Sequence, residues 1–141
     1  MSIVGHFIDG SFPVDTCIER MKPDIIVLPL PPALNHTYGF HRGKMFKVPK
    51  ARDWEQEALA LVKYKYKRRD TITGDVFCAL SIFHSRDRDI DGSIKITLDL
   101  LEKAGLIVND RQIKFLNVQM FKVKENTRIE IEIRRINAAR N

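Results

Sequence analysis

The sequence predicts an α+β fold, a small mixed sheet of about five strands packed with two main helices. Two patterns carry that prediction. Short β-branched and aromatic runs recur at residues 25–28, 76–83, 115–123 and 127–133, and in the last of these Ile129, Ile131 and Ile133 alternate with Glu130, Glu132 and Arg134. Apolar residues recur at helical spacing after Asp53 and again after Asp89. The size agrees: 141 residues with 44% hydrophobic and 30% charged side chains are those of one ordinary globular domain.

In chain order, residues 1–24 carry short apolar pieces broken by Gly5, Gly10 and Pro13, and read as an N-terminal extension of unknown role holding one short strand or turn. The domain proper is expected over residues 25–141. Ile25 to Leu28 form a β-branched strand ended by Pro29. A long loop follows from Pro31 to Pro49, rich in basic residues. Asp53 caps a helix whose apolar face is Trp54, Ala58, Leu61, Val62 and Tyr66, and which runs into Lys63, Lys65, Lys67, Arg68 and Arg69. Gly74 opens the strand at 76–83. A second helix over 89–103 places Ile90, Ile94, Leu98 and Leu101 on one face and ends at Gly105. Leu106 to Val108 form a short strand, and residues 115–123 and 127–133 a β-hairpin with one buried and one wet face.

The most apolar stretch, residues 25–34, is ten long and holds three prolines, whereas a membrane helix needs about 20 apolar residues. With no basic, apolar leader visible at the N-terminus, a soluble cytoplasmic protein is expected, with no membrane partner. Cys17 and Cys78 match no metal-ligand spacing, and Cys78, within an apolar run, is expected in the core.

Lys and Arg number 24 against 18 Asp and Glu, a net charge of +6, which favours polyanionic partners. Residues 84–110 reverse the balance, with four basic and six acidic side chains. An acidic island in a basic chain suits a metal-dependent enzyme acting on nucleic acid. Within it, Asp91, Lys95 and Asp99 fall four residues apart and form one polar helical stripe, with Asp89 just ahead and Asp110 on a separate segment that can return beside them. Asp89, Asp91 and Asp110 together form a hard-oxygen set suited to Mg²⁺, with Mn²⁺ a possible substitute, and Lys95 supplies a positive group toward a scissile phosphate. The competing structural reading is that acids before a helix are caps and dipole partners. His6, His36, His41 and His84 show no ligand spacing.

The run Arg88-Asp89-Ile90-Asp91-Gly92-Ser93-Ile94-Lys95, then Leu98-Asp99-Leu100-Leu101, then residues 104–113 around Asn109-Asp110, resembles the RusA family of Holliday junction resolvases. Leu28-Pro29-Leu30-Pro31-Pro32-Ala33-Leu34-Asn35, with Tyr38, Gly43 and Trp54, is similar to that family's N-terminal signature, so the resemblance spans about residues 25 to 135. It implies a RusA-like fold, a homodimer binding four-way junction DNA, and paired symmetric nicks in recombination and repair. It implies that Asp89, Asp91 and Asp110 are catalytic metal ligands, that Lys95 is the catalytic lysine, and that Asp99 is supporting. Arg42, Lys44, Lys47, Arg68 and Arg69 are candidates for phosphate contacts that position DNA. Two departures stand out: Gly92 where the family usually has Asn, and Asn109, a supporting position, in place of the first of an acidic pair. By family analogy alone, a phage or prophage replication module is a fitting context. Two other readings stay open: a non-catalytic protein that binds branched DNA, and a nuclease acting on other DNA structures.

Overall fold

The structure, a computed structural model, describes residues 16–18, 25–33, 38–47, 49–66 and 70–138. Among these are seven strands and two α-helices: β1 (Thr16–Ile18), β2 (Ile25–Leu28), β3 (Tyr38–His41), β4 (Lys44–Lys47), α1 (Pro49–Lys65), β5 (Val76–His84), α2 (Ile94–Lys103), β6 (Ile113–Lys122) and β7 (Arg128–Ala138). The α+β expectation holds, with a five-stranded mixed sheet and two helices, and a separate two-stranded sheet of β3 and β4.

β5 organises the molecule. Its sequence is apolar on both faces, so it takes the middle of the sheet, where both faces are covered. β6 lies parallel on one side and β7 antiparallel on the other. A parallel neighbour needs a crossover of a dozen residues or more, and α2 provides it. β7 is long enough to pair on its far edge with both β2, opposite Ile129 to Glu132, and β1, opposite Ile136 to Ala138. Three residues of the stretch read as an extension thus join the sheet; the rest of residues 1–24 lies outside the described residues.

Both helices cover one face of the sheet. Ile26, Leu28, Leu80, Ile82 and Ile131 from the strands meet Trp54, Ala58 and Val62 of α1 and Ile96, Leu100 and Leu101 of α2. Each of the Val, Leu and Ile side chains among these, fully buried, contributes about 1.5–3 kcal/mol. Cys78 is in this core, as expected, and burial, with Glu132 nearby, pushes its thiol pKa up to about 12.

Several expectations are corrected. The hairpin of 115–123 with 127–133 does not form: β6 and β7 flank β5, and residues 123–127 pass over its end, where the Val123 N–H donates to the His84 carbonyl at 2.8 Å. Two strand spacings are only about 10 Å, well within reach of five residues. The polar face of β7 is wet only in part: Arg128 and Glu130 are half-buried, whereas Glu132 and Arg134 are buried and 3.7 Å apart. The loop after Pro31 contains the β3–β4 hairpin. α1 starts at Pro49, not at Asp53, since proline suits the first helical position, where no amide donor is needed. A 3₁₀ turn (Ile90–Ser93) precedes α2 and shifts its buried face to Ile96, Thr97, Leu100 and Leu101, leaving Ile90 exposed. Residues 106–108 make no strand; Ile107 forms a single parallel bridge to Ile72. Gly105 does end α2, at φ 75°, with the Leu106 amide donating to Leu101 O at 3.0 Å and the Gly105 amide to Glu102 O at 3.1 Å, a complete Schellman motif.

Candidate active site

Where β5 ends at His84, the chain leaves the sheet through the polar turn of residues 85–88, passes Asp89 in extended conformation (φ −72°, ψ 144°), and enters the 3₁₀ turn containing Asp91. The Gly92 amide donates to Asp89 O at 3.1 Å. Neither Asp89 nor Ser93 makes a side-chain capping hydrogen bond to its helical turn. Asp89 is therefore not consumed as a cap. Both Asp89 and Asp91 are exposed and line a cleft of about 890 Å³.

Leu30, Pro32, Ala33 and Trp54 give the cleft an apolar part of its lining, and Lys50 also lines it. Trp54 is held there because its indole N–H donates to Pro29 O at 2.7 Å. Arg88 ties the two parts of this lining together: its Nη2 donates to Pro31 O at 2.9 Å and to Ser93 Oγ. Its Nε is buried without a hydrogen-bond partner, and burial lowers the guanidinium pKa. A half-buried cation one residue from Asp89 that lines the cleft is suited to an anion entering it. His84 also lines the cleft. Its Nδ1 lies 2.8 Å from the Arg86 carbonyl, which can only accept, so Nδ1 donates.

Lys95 lies on the first turn of α2, exposed, 3.4 Å from Asp99. Of the expected polar stripe, Lys95 and Asp99 pair on α2, whereas Asp91 lies in the 3₁₀ turn ahead of the helix. Asp110 departs from expectation. It begins a second 3₁₀ turn (Asp110–Gln112) beyond the C-terminal end of α2, whereas Asp89 and Asp91 precede the N-terminal end. Ten helical residues separate the two places by about 15 Å. Among the described residues no group of three or more His, Cys, Asp and Glu is placed to hold a metal ion. The Asp110 amide donates to Glu102 Oε1 at 3.1 Å. Asn109 caps this turn, its Oδ1 accepting from the Arg111 amide at 2.8 Å, while Gln112 Oε1 accepts from the Asn109 amide at 2.9 Å. A side chain with one oxygen acceptor suffices there.

Of the basic candidates, Arg42 and Lys44 are exposed at the tip of the β3–β4 hairpin. Lys47 is corrected: its ammonium is bound to Glu55 of α1, which also accepts from Lys103 of α2 at 2.7 Å. Burial acts to raise the Glu55 carboxyl, but hydrogen bonds from Lys103 and Lys47 outweigh it and hold the pKa below its usual value. Lys47 therefore anchors the hairpin to the helices. Arg68 and Arg69 lie outside the described residues. Tyr66 is partly buried against the core and its hydroxyl accepts from the Val27 amide at 3.0 Å, whereas Tyr64 is exposed.

The family model described as Endodeoxyribonuclease RusA matches residues 29–134, which contain the cleft, Lys95 and Asp110. The chain belongs to the RusA family. It is similar to the Crossover junction endodeoxyribonuclease RusA of Aquifex aeolicus (strain VF5), 34% identical over 98 residues that cover 68% of this chain and 76% of that relative. As a RusA-family endodeoxyribonuclease, the chain carries Asp89 and Asp91 of its acidic run on the wall of this cleft. Sequence reasoning passed over Arg88, His84 and Lys50 as site residues. Arg88 had one signal, its place directly before Asp89; the other two had none until folding brought them to the cleft. No helix among the described residues is long and apolar enough to cross a membrane.

Proposed function

We propose that this chain is a Mg²⁺-dependent endonuclease that resolves four-way Holliday junctions by paired symmetric nicks, acting as a homodimer in the cytoplasm during recombination and repair. The observation that carries the reading is the cleft that Asp89 and Asp91, exposed and with no capping bond from Asp89, line together with the guanidinium-bearing Arg88. The name of the Aquifex relative supports the choice of substrate. Two carboxylates fit Mg²⁺, which takes one or two from the protein and completes its shell with water and substrate phosphate; Mn²⁺ fits the same oxygens. When bound, the ion supplies charge neutralisation at the phosphodiester and a lowered pKa for attacking water.

The residues divide the remaining work. Asp89 and Asp91 hold the ion. Arg88 binds the phosphate flanking it and is kept in place by Pro31 O and Ser93 Oγ. Lys95, on the first turn of α2, supplies a positive group for the developing negative charge, with Asp99 at 3.4 Å restraining its ammonium. Asp110 is too far away to share the ion within one protomer, so it acts from a second copy, which makes the homodimer part of the site. Arg42, Lys44, Arg68 and Arg69 contact phosphates away from the cut. A two-fold dimer offers two such sites to a junction of matching symmetry. Residues 25–141 constitute the endonuclease domain, with residues 1–24 as its extension.

The test is incubation with a labelled four-way junction and a matched linear duplex, in Mg²⁺ and in EDTA. Paired, metal-dependent nicks in the junction alone are the expected result. Tight junction binding without cuts favours a non-catalytic binder, and cutting of both substrates removes the junction specificity.

A further inference from the structure

The β3–β4 hairpin is a ribbon separate from the five-stranded sheet. Its turn residues Arg42 and Gly43 have φ of 53° and 75°, the pair of positive values that a two-residue type I′ turn requires. Phe40 pairs with Met45 across the ribbon, so the two side chains stand together on one face. They are 76% and 63% exposed. Lys47, two residues along from Met45 and so on the same face, is fixed to Glu55. The ribbon is thus anchored at its base to α1, with its apolar pair about 7 Å further out and the exposed Arg42 and Lys44 beside it. Pro32 and Ala33 before the hairpin, and Lys50 after it, line the cleft that holds Asp89 and Asp91.

An exposed aromatic and a thioether flanking a turn that carries two cations match nucleic acid whose bases are accessible. Apolar side chains enter between base steps while cations hold the adjacent phosphates. A continuous duplex hides its base faces; a branch point, where stacking is interrupted, offers them. A second copy is a poor occupant, because Arg42 and Lys44 would meet their own like charges across a two-fold axis. Resting on the endonuclease reading above, we propose that Phe40 and Met45 form a wedge that stacks on bases at the branch point of the DNA, held by Arg42 and Lys44 on the flanking phosphates.

The experiment uses the full chain carrying Asp91→Asn, to prevent cutting, and a four-way junction with 2-aminopurine at the branch point. Protein binding is expected to change the 2-aminopurine fluorescence. Phe40→Ala with Met45→Ala should abolish that change and weaken junction binding about tenfold or more, with linear-duplex binding unaltered, and Phe40→Tyr should restore both. The exposed positions leave the melting temperature unchanged. A fluorescence change that survives the alanine pair overturns the wedge, as does an equal loss of junction and duplex affinity. A shift from dimer to monomer in the alanine pair also overturns it and makes the face an interface between copies. Wild-type protein that cuts junctions while the alanine pair leaves the fluorescence change intact refutes the wedge alone; wild-type protein that neither binds nor cuts them refutes the endonuclease reading as well.

Discussion

Asp91→Asn and Asp110→Asn should each abolish cutting, yet a mixture of the two should cut. The reason is geometric. Asp91 precedes α2 and Asp110 follows it, so the ten residues of that helix hold them about 15 Å apart, whereas a Mg²⁺–oxygen bond is about 2.0–2.1 Å. A site using both therefore draws Asp91 from one protomer and Asp110 from the other. In a mixed dimer, the protomer carrying Asp110→Asn supplies Asp91 while its partner supplies Asp110, which completes one site and leaves the second without either. Random subunit exchange makes about half the dimers mixed, so about a quarter of all sites are restored. The assay is denaturing electrophoresis of a labelled junction after the variants are co-refolded. Cutting should return to about a quarter of the wild-type initial rate, and mixed dimers should nick one strand instead of two. Absence of any recovery, with both variants still dimeric and junction-bound, refutes the shared site. Wild-type cutting by Asp110→Asn alone removes Asp110 from the chemistry.

Asp91→Asn alone should keep or improve junction affinity in a binding titration, because a negative charge facing phosphate is removed; loss of binding and folding together would make Asp91 a structural residue. Glu55→Gln should lower the melting temperature near neutral pH by releasing Lys47 and Lys103. Because the folded carboxyl titrates below its usual value of 4.5, Glu55 contributes stability above that value and loses it as pH falls through the lower folded pKa, so wild-type and variant melting curves should converge in acid. Cys78, in a Cys17→Ser background, should resist thiol reagents in the native state and react only on unfolding, as followed by absorbance with an aromatic disulfide, since its thiol is buried with a pKa of about 12. Mg²⁺ should raise the melting temperature of wild type, and Asp89→Asn should reduce the gain.

Periodicity made the helices and most strands legible, and the apolar character of residues 76–83 marked the strand that became the centre of the sheet. It could not tell which strands are partners. The alternation in residues 127–133 suits any sheet position with one core-facing side, and β7 takes an inner position, where Glu132 and Arg134 are buried as well. The β3–β4 hairpin was missed because its aromatic and apolar residues are broken up by Gly39, Gly43 and basic side chains, and its one local signal was Arg42-Gly43, a turn with positive φ at both residues. Lys47 illustrates a further limit. By residue type it is indistinguishable from Lys44, yet one ammonium lies against Glu55 and the other is exposed.

The acidic residues show the same division within the site. Asp89 and Asp91 were legible because they are near in sequence to one another and to the end of β5, so local geometry alone places them in one cleft. Asp110 was legible as a residue type but not as a position. The element between it and Asp91 is a ten-residue helix, and a helix separates its ends. The segment beyond α2 leads into β6, which must start beside Val76, at the opposite end of β5 from the cleft. A parallel β–α–β crossover thus puts the residue after its first strand and the residue before its second at opposite ends of the sheet. Any chemistry that uses both residues on a single phosphate must then be assembled between chains, so activity and dimerisation should rise together as protein concentration increases. A cutting rate per protomer that stays constant below the concentration at which the dimer dissociates would contradict that coupling.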